Sequence, residues 1–415
     1  MSRKRIALVG SRVQIYSRIV NNILNAIAAT GDSPVLLEGD DSDSLLDLLG
    51  RVSVDYLLIT NDFCPASRYL EHRKKFAFEC IDSFIVFIHH DTSFCMPATL
   101  DHTMKKLNAL QHISERSVHL VIEESNFTLY KSLGLNVEMI HHVTEFDNVF
   151  SPSNSRDFCN ISFVGHVAPY STKYIQGNGL IRAAFASAYW QRLTDARFSA
   201  QPFLFNYVDR CIGNGILFSA GFHMIDSMSS ELEDLSLYRI PYWQILMHEY
   251  NRLSLPMRGD YLRLLQDFQV CLFGGDPSGT WSEETTLLMS NLKNYPHVST
   301  SQLNQVYARS RISLNFHSLQ FDTAYNNRVV DIFAAGGFCL TDYRKRLSEI
   351  SKYTDLFTFN THYELLDKIE LFMSARGSQI MDDLTPEIAE EIKQNCSYIA
   401  LVGNIRRFYE KYRAV

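Results

Sequence analysis

Short apolar runs of strand length alternate with amphipathic stretches along the first third of the chain. Ile6-Ala-Leu-Val-Gly10, Val35–Leu37, Tyr56–Thr60, Ser83–Ile88, Val118–Ile122 and Val137–Ile140 are the apolar runs, and helical spacing covers Tyr16–Ala29, Ser42–Leu49 and Ser125–Leu133 between them. Continuous apolar strands separated by amphipathic helices belong to a parallel sheet covered on both faces. Residues 1–150 are therefore expected to form a Rossmann-like domain of about six strands.

The alternation lapses at 145–158, where Asp147-Asn-Val-Phe-Ser-Pro-Ser-Asn-Ser-Arg156 is polar and turn-rich, as a linker would be. A second series starts at Ile161-Ser-Phe-Val-Gly165, again a strand closed by glycine. Strand patterns return at Gln269–Gly274, His297–Ser299, Ile312–Asn315, Phe338–Thr341 and Leu356–Thr358, with a divergent, helical region near 178–257. Pro386–Tyr412 reads as helix with Lys and Arg toward its end, where a helix dipole favours cations. The expected plan is α/β: an N-terminal domain over 1–150, a second Rossmann-like domain over 157–400, and a C-terminal helix over 401–415. Two doubly wound domains facing across a cleft between their strand C-termini bind ligands. Dehydrogenases, periplasmic binding proteins, nucleotide-sugar epimerases and GT-B glycosyltransferases share that plan, and fold alone does not choose among them.

A chain of 415 residues is long for one core, which agrees with two domains. A formal charge of −7 lacks the basic face of a general nucleic-acid binder. The 8 cysteines include no C-x-x-C pair and several sit in apolar runs, the usage of reduced core thiols. No segment reaches the roughly 18 apolar residues of a membrane span, and the N-terminal apolar run is too short for a signal peptide. A cytoplasmic protein is expected.

The densest chemistry lies between Tyr307 and Asp342. A buried-strand pattern ends at Asn315, a polar loop follows, and Asn326-Asn-Arg-Val-Val-Asp331 opens a helix closed by Gly336-Gly337. Arg328 and Asp331 share one face of the first turn, beside free N–H groups that attract anions. Such a corner can hold a phosphate with the arginine and sugar hydroxyls with the carboxylate. It can equally be a solvated ion pair, with Asn326 or Asn327 as N-cap and the glycines as C-cap. Elsewhere, His89-His90-Asp91 follows an apolar strand and has the make-up of a general base, or of a capping Asp beside two surface histidines. Glu123-Glu124 reads as the acidic first turn of a helix, and Asp41-Ser-Asp43 as a helix cap before a metal motif.

Residues 307–342 resemble the C-terminal segment of GT-B glycosyltransferases of the spore-maturation, CgeB-like (YkvP-like) family. The resemblance rests on Leu314-Asn315, Asn326-Asn-Arg328, Asp331, Ala335-Gly336-Gly337-Phe338 and Leu340-Thr-Asp342. It extends more weakly to Asp157–Gly165 and Arg258–Gly274, and to the first 150 residues only as a type of fold. Two departures stand out: Asp331 replaces the family's usual Glu, which is one methylene longer, and 178–257 follows no family pattern. The resemblance implies metal-independent transfer of a sugar from a nucleoside diphosphate donor, such as a UDP- or GDP-sugar, without a cofactor. It places the donor at Gly165, His166, Arg309, Asn315, Asn326, Arg328, Asp331, Gly336 and Gly337. Gly10 and Ser11 would face the acceptor, and His90 with Asp91 would take its proton. The acceptor stays open among protein, glycan, lipid-linked glycan, small molecule and modified DNA. A nucleotide-sugar 2-epimerase and a non-catalytic sugar-nucleotide or protein binding module remain alternatives.

Overall fold

The computed structural model describes residues 3–9, 14–38, 41–60, 65–90, 100–146, 156, 158–167, 179–213, 247, 250–274, 292–295 and 298–413. The chain divides into two compact units, Met1–Val143 with Asn395–Val415, and Thr144–Gln394.

In the first unit, β1 (Arg5–Val9), β2 (Ser33–Leu37), β3 (Tyr56–Thr60), β6 (Phe84–Ile88), β7 (Ser117–Val121) and β8 (Val137–Met139) form one sheet in the order β2-β1-β3-β6-β7-β8. Every pairing in it is parallel. A two-residue hairpin, β4 (Tyr69–Leu70) with β5 (Lys75–Phe76), is inserted between β3 and β6. Strands β3, β6 and β7 are buried along their whole length, which is why their sequences are continuous apolar runs and not alternating ones.

The tail is helical, in two segments. Ala375–Cys396, which accommodates Pro386, stops before Ser397, and Tyr398–Arg413 begins anew. The Ser397 hydroxyl accepts the Ala400 N–H at 3.2 Å and so caps the second helix. This last helix packs within the first unit: Tyr409 lies 4.4 Å from Tyr56 and 5.4 Å from Phe84 between ring centres. Arg406 reaches the buried carboxylate of Asp32 at 3.5 Å, and Lys411 reaches Glu138 at 2.5 Å. Residues assigned from sequence to the end of the second domain and beyond it thus complete the core of the first.

The second unit carries β9 (Cys159–Val164), β10 (Val270–Phe273), β11 (Lys293–Tyr295), β12 (Ser310–Asn315), β13 (Cys339–Asp342) and β14 (Thr358–Phe359). Their order is β11-β10-β9-β12-β13-β14, again wholly parallel. Counted within the unit this is 3-2-1-4-5-6, the doubly wound Rossmann order, whose direction reverses between β9 and β12.

Two strand expectations shift. The edge strand is Lys293–Tyr295 and not His297–Ser299: Ser299 instead caps the helix Thr300–Arg309, trading hydrogen bonds with Gln302 in a capping box. His297 lies outside the described residues. Leu356 and Phe357 belong to a helical turn, Thr354–Phe357, and the strand starts at Thr358.

The helix Arg328–Ala334 ends in a Schellman motif, with Gly336 N–H on the Phe333 carbonyl and Gly337 N–H on the Ile332 carbonyl, both at 3.0 Å. Gly336 has φ +79°, and a Cβ on Gly337 would sit 2.5 Å from the Tyr307 carbonyl oxygen. Gly337→Ala is expected to destabilise the second unit by about 1–3 kcal/mol, because backbone must move to admit one methyl group. Urea unfolding would show this as a lower midpoint.

Candidate functional site

Ligands of doubly wound sheets bind beyond the strand C-termini where the strand order reverses. In the second unit that point lies between β9 and β12, so the residues that follow Val164 and those around Asn315 meet there. Gly165 follows β9 with φ +150°, and Gly274 follows β10 with φ +149°. The Gly165 N–H donates to the Phe273 carbonyl at 2.8 Å, while a Cβ on Gly274 would stand 2.5 Å from the Gly165 carbonyl oxygen. Gly274 admits no side chain toward Gly165, both glycines hold a φ that favours glycine, and backbone is left bare at the reversal point. Gly274 escaped notice as a site residue, although its strand closes on glycine as β9 does.

Arg328, the first residue of its helix, turns back over this corner. Its guanidinium donates to Asn315 Oδ1 at 3.3 Å and lies 6.0 Å from the centre of the Phe163 ring. A Cβ on Gly165 would lie 3.4 Å from Arg328 Nη2. Gly165, Asn315 and Arg328 therefore come together as the sequence expected. Among the described residues Arg328 forms no ion pair, with Asp331 or any other acid.

A second arginine completes the charge. Arg258, buried on the helix Ser254–Leu264, donates to Ser318 Oγ at 3.0 Å, and among the described residues its Nε has no hydrogen-bond partner. Burial first, and then the positive charge of Arg328, push its pKa down to about 9. Two guanidinium groups within electrostatic reach of each other, one of them desolvated, make a corner that favours an anion. Arg258 stands in the motif Arg258-Gly-Asp-Tyr, yet no helix-start or strand-end signal marked it as a ligand residue.

Asn326 joins the corner differently from a cap. Its side chain is buried, with Oδ1 unpartnered among the described residues, and its N–H donates to His317 Nδ1 at 3.1 Å. Asn327 occupies the N-cap position without a capping side chain, and donates instead to Asp331 Oδ2 at 3.2 Å. The other Asp331 oxygen accepts the hydroxyl of Thr144. Both oxygens of the carboxylate expected at a sugar are thus engaged within the protein.

Gly336, Gly337 and Arg309 do not reach the corner. The helix Arg328–Ala334 runs antiparallel to the strands, so its glycine end returns to the N-terminal edge of the sheet, before β13. Arg309 ends the helix preceding β12, where its carbonyl accepts the Phe158 N–H at 3.2 Å and its guanidinium lies 5.7 Å from the Phe158 ring. Spacing in sequence hid this because a parallel sheet separates the two ends of every strand. Arg311 binds the Phe372 and Ser374 carbonyls. His166 follows Gly165 and is exposed.

In the first unit, His89 and His90 follow β6 at its C-terminal end. His89 pairs with His119 of β7, Nε2 to Nδ1 at 3.1 Å, in a stack with Phe87. Burial pushes the pKa of His90 down to about 4, leaving it neutral at pH 7. Asp91, Gly10 and Ser11 lie outside the described residues. Asp41 caps its helix, accepting the Ser44 N–H at 2.8 Å, and Glu123 occupies the N-cap position of the helix Glu124–Ser132. No cluster of three metal-binding side chains occurs among the described residues, and none of their helices is long and apolar enough to cross a membrane.

Residues 259–394 match the family model described as glycosyl transferase-like. No curated protein matches the chain significantly. Among solved structures, sucrose-phosphate synthase from Thermosynechococcus elongatus superposes with a TM-score of 0.52 at 10% identity, covering 100% of both chains. The DNA-modifying β-glucosyltransferase gives 0.49 at 10% identity over 98% of this chain and 99% of that one. HepE of Anabaena gives 0.49 at 10% identity over 99% and 100%. The chain has the GT-B fold, and residues 259–394 are similar to a glycosyl transferase-like domain.

Buried neutral histidines make the fold acid-sensitive. Burial pushes His89 down to about 3 and His317 well below the usual histidine range, so both bind a proton only when unfolded near pH 5. The stability each contributes is complete above pH 6.5 and is lost as the pH falls toward the folded-state pKa. The expected loss is on the order of 1 kcal/mol per histidine between pH 7.5 and 5.5. Melting temperatures across that range test it, and His317→Asn should flatten the profile of the second unit.

Proposed function

We propose that the second unit binds a nucleoside diphosphate sugar and that the protein transfers the sugar to an acceptor. One observation carries the donor assignment: Arg328 lies over the bare backbone of Gly165 at the point of strand reversal, with the buried Arg258 within electrostatic reach of it. A diphosphate supplies the anionic oxygens that a desolvated guanidinium lacks, through charge-assisted and often bidentate bonds. As the glycosidic bond to the phosphate breaks, the same groups stabilise the leaving nucleoside diphosphate. Arginine charge takes the part a divalent ion plays elsewhere, so we propose metal-independent transfer. We keep His90 as the proposed acceptor base. The motif Asn326-Asn-Arg328 with Asp331 supports a CgeB-like affiliation, and with Asp331 held by Thr144 and Asn327 we assign the sugar-facing role to Asn326.

Thermal shift against UDP, GDP, ADP and their sugars, with EDTA present, is the direct test. A ligand at a hundred times its Kd should stabilise by about 2.7 kcal/mol. Arg328→Ala and Arg258→Met should each weaken nucleotide binding by about 10–100-fold, the worth of a charge-assisted hydrogen bond. No shift with any nucleotide contradicts the donor assignment. An altered sugar nucleotide released without acceptor would point to an epimerase instead.

A further inference from the structure

We infer that His317 is a positioning residue of the donor site, locked in one tautomer so that Asn315 and Asn326 present their oxygens to that site. This rests on the nucleotide-sugar reading above and adds a residue that contacts none of the proposed diphosphate.

Hydrogen-bond direction fixes the tautomer. His317 is buried just beyond β12. Its Nδ1 lies 3.1 Å from the backbone nitrogen of Asn326, and a backbone N–H can only donate. Nδ1 must therefore carry a lone pair, and in the neutral ring the proton sits on Nε2. Nε2 lies 3.1 Å from Thr341 Oγ1 and donates to it. Thr341 Oγ1 also lies 2.8 Å from Asn315 Nδ2, which donates to the same oxygen, so the Thr341 hydrogen is left for the Asp342 carbonyl at 3.5 Å. With Asn315 Nδ2 committed, its Oδ1 faces Arg328 Nη1 at 3.3 Å, an atom that can only donate. The two ends of the chain are thus groups with no choice of role, and they fix every proton between them.

The frame of the network is rigid. Asn315 and Thr341 are register partners on β12 and β13, and the His317 N–H donates to Asp342 Oδ1 at 2.8 Å. Asp342 in turn lies 2.6 Å from Arg344. The charged groups that face the ring are Asp342 at the end of β13, Arg344 just beyond it, Arg192 from the helix Gly179–Thr194, and Arg328. Asn326, whose N–H the ring holds, carries the buried and unpartnered Oδ1. A second proton on the ring, or loss of the Nδ1 acceptor, would free the Asn326 backbone and with it the start of the helix that bears Arg328.

The two ring nitrogens can be separated by substitution. Asn at 317 can place an oxygen near Nδ1, and Gln can place an amide near Nε2. Nucleotide affinity by calorimetry, melting temperature without nucleotide, and an [15N]histidine NMR spectrum of the full chain form the test. The expected results are an Nε2–H tautomer for His317 at pH 7, a loss of nucleotide affinity of at least tenfold in His317→Gln, and a smaller loss in His317→Asn. Equal affinity in wild type and both variants, with only the melting temperature lowered, overturns the positioning role in favour of a structural one. An Nδ1–H tautomer or a charged ring at pH 7 overturns the network itself. If the spectrum shows the Nε2–H tautomer but wild type binds no nucleotide, the donor reading has failed, and the positioning role falls with it.

Discussion

The parallel pairing of β9 with β12 is the constraint on which the site depends. It sets the first strand of the second unit beside the fourth, and only there does a doubly wound sheet open a crevice between helices on opposite faces. The register is held by backbone bonds and by the buried contact of Ser162 Oγ with Ser313 Oγ at 3.1 Å. A slip of one residue would turn Asn315 to the other face and part it from Arg328. The apolar core thus decides the geometry of the polar corner.

Around that corner, desolvation matters more than the count of charges. A solvated arginine would give little to a diphosphate beyond what water already gives it. Arg258 is different because burial strips it of water and, with the charge of a second arginine, depresses its pKa to about 9. The nearby carboxylate of Asp342 offsets part of the cost of that burial. Such a site is destabilised until an anion enters, which is the usual relation between binding sites and stability.

Much of the fold was legible from the apolar runs, since buried parallel strands have no other way to be written. The reversal-point residues Gly165, Asn315 and Arg328 were legible too, because strand ends and helix starts carry local signals. Gly336, Gly337 and Arg309 misled for a physical reason: helix ends also demand glycine, and chain proximity crosses from one edge of a parallel sheet to the other. His317 and Arg258 were illegible because their meaning lies in direction and desolvation. Neither property has a spacing. The edge strand was misplaced because Val298 and Ser299 look β-like, while a capping box outweighed that preference. The last helix was assigned by nearness in sequence, whereas Tyr409 finds its partners Tyr56 and Phe84 in the first unit.

The most direct measurement is a crystal structure of the protein with a bound nucleoside diphosphate. The diphosphate is expected over the Gly165 backbone, with oxygens within 3.2 Å or so of Arg258 Nε and of the Arg328 guanidinium, and Asn315 still turned toward Arg328. A diphosphate bound elsewhere on the second unit, with Arg258 Nε still unpartnered, would contradict the account.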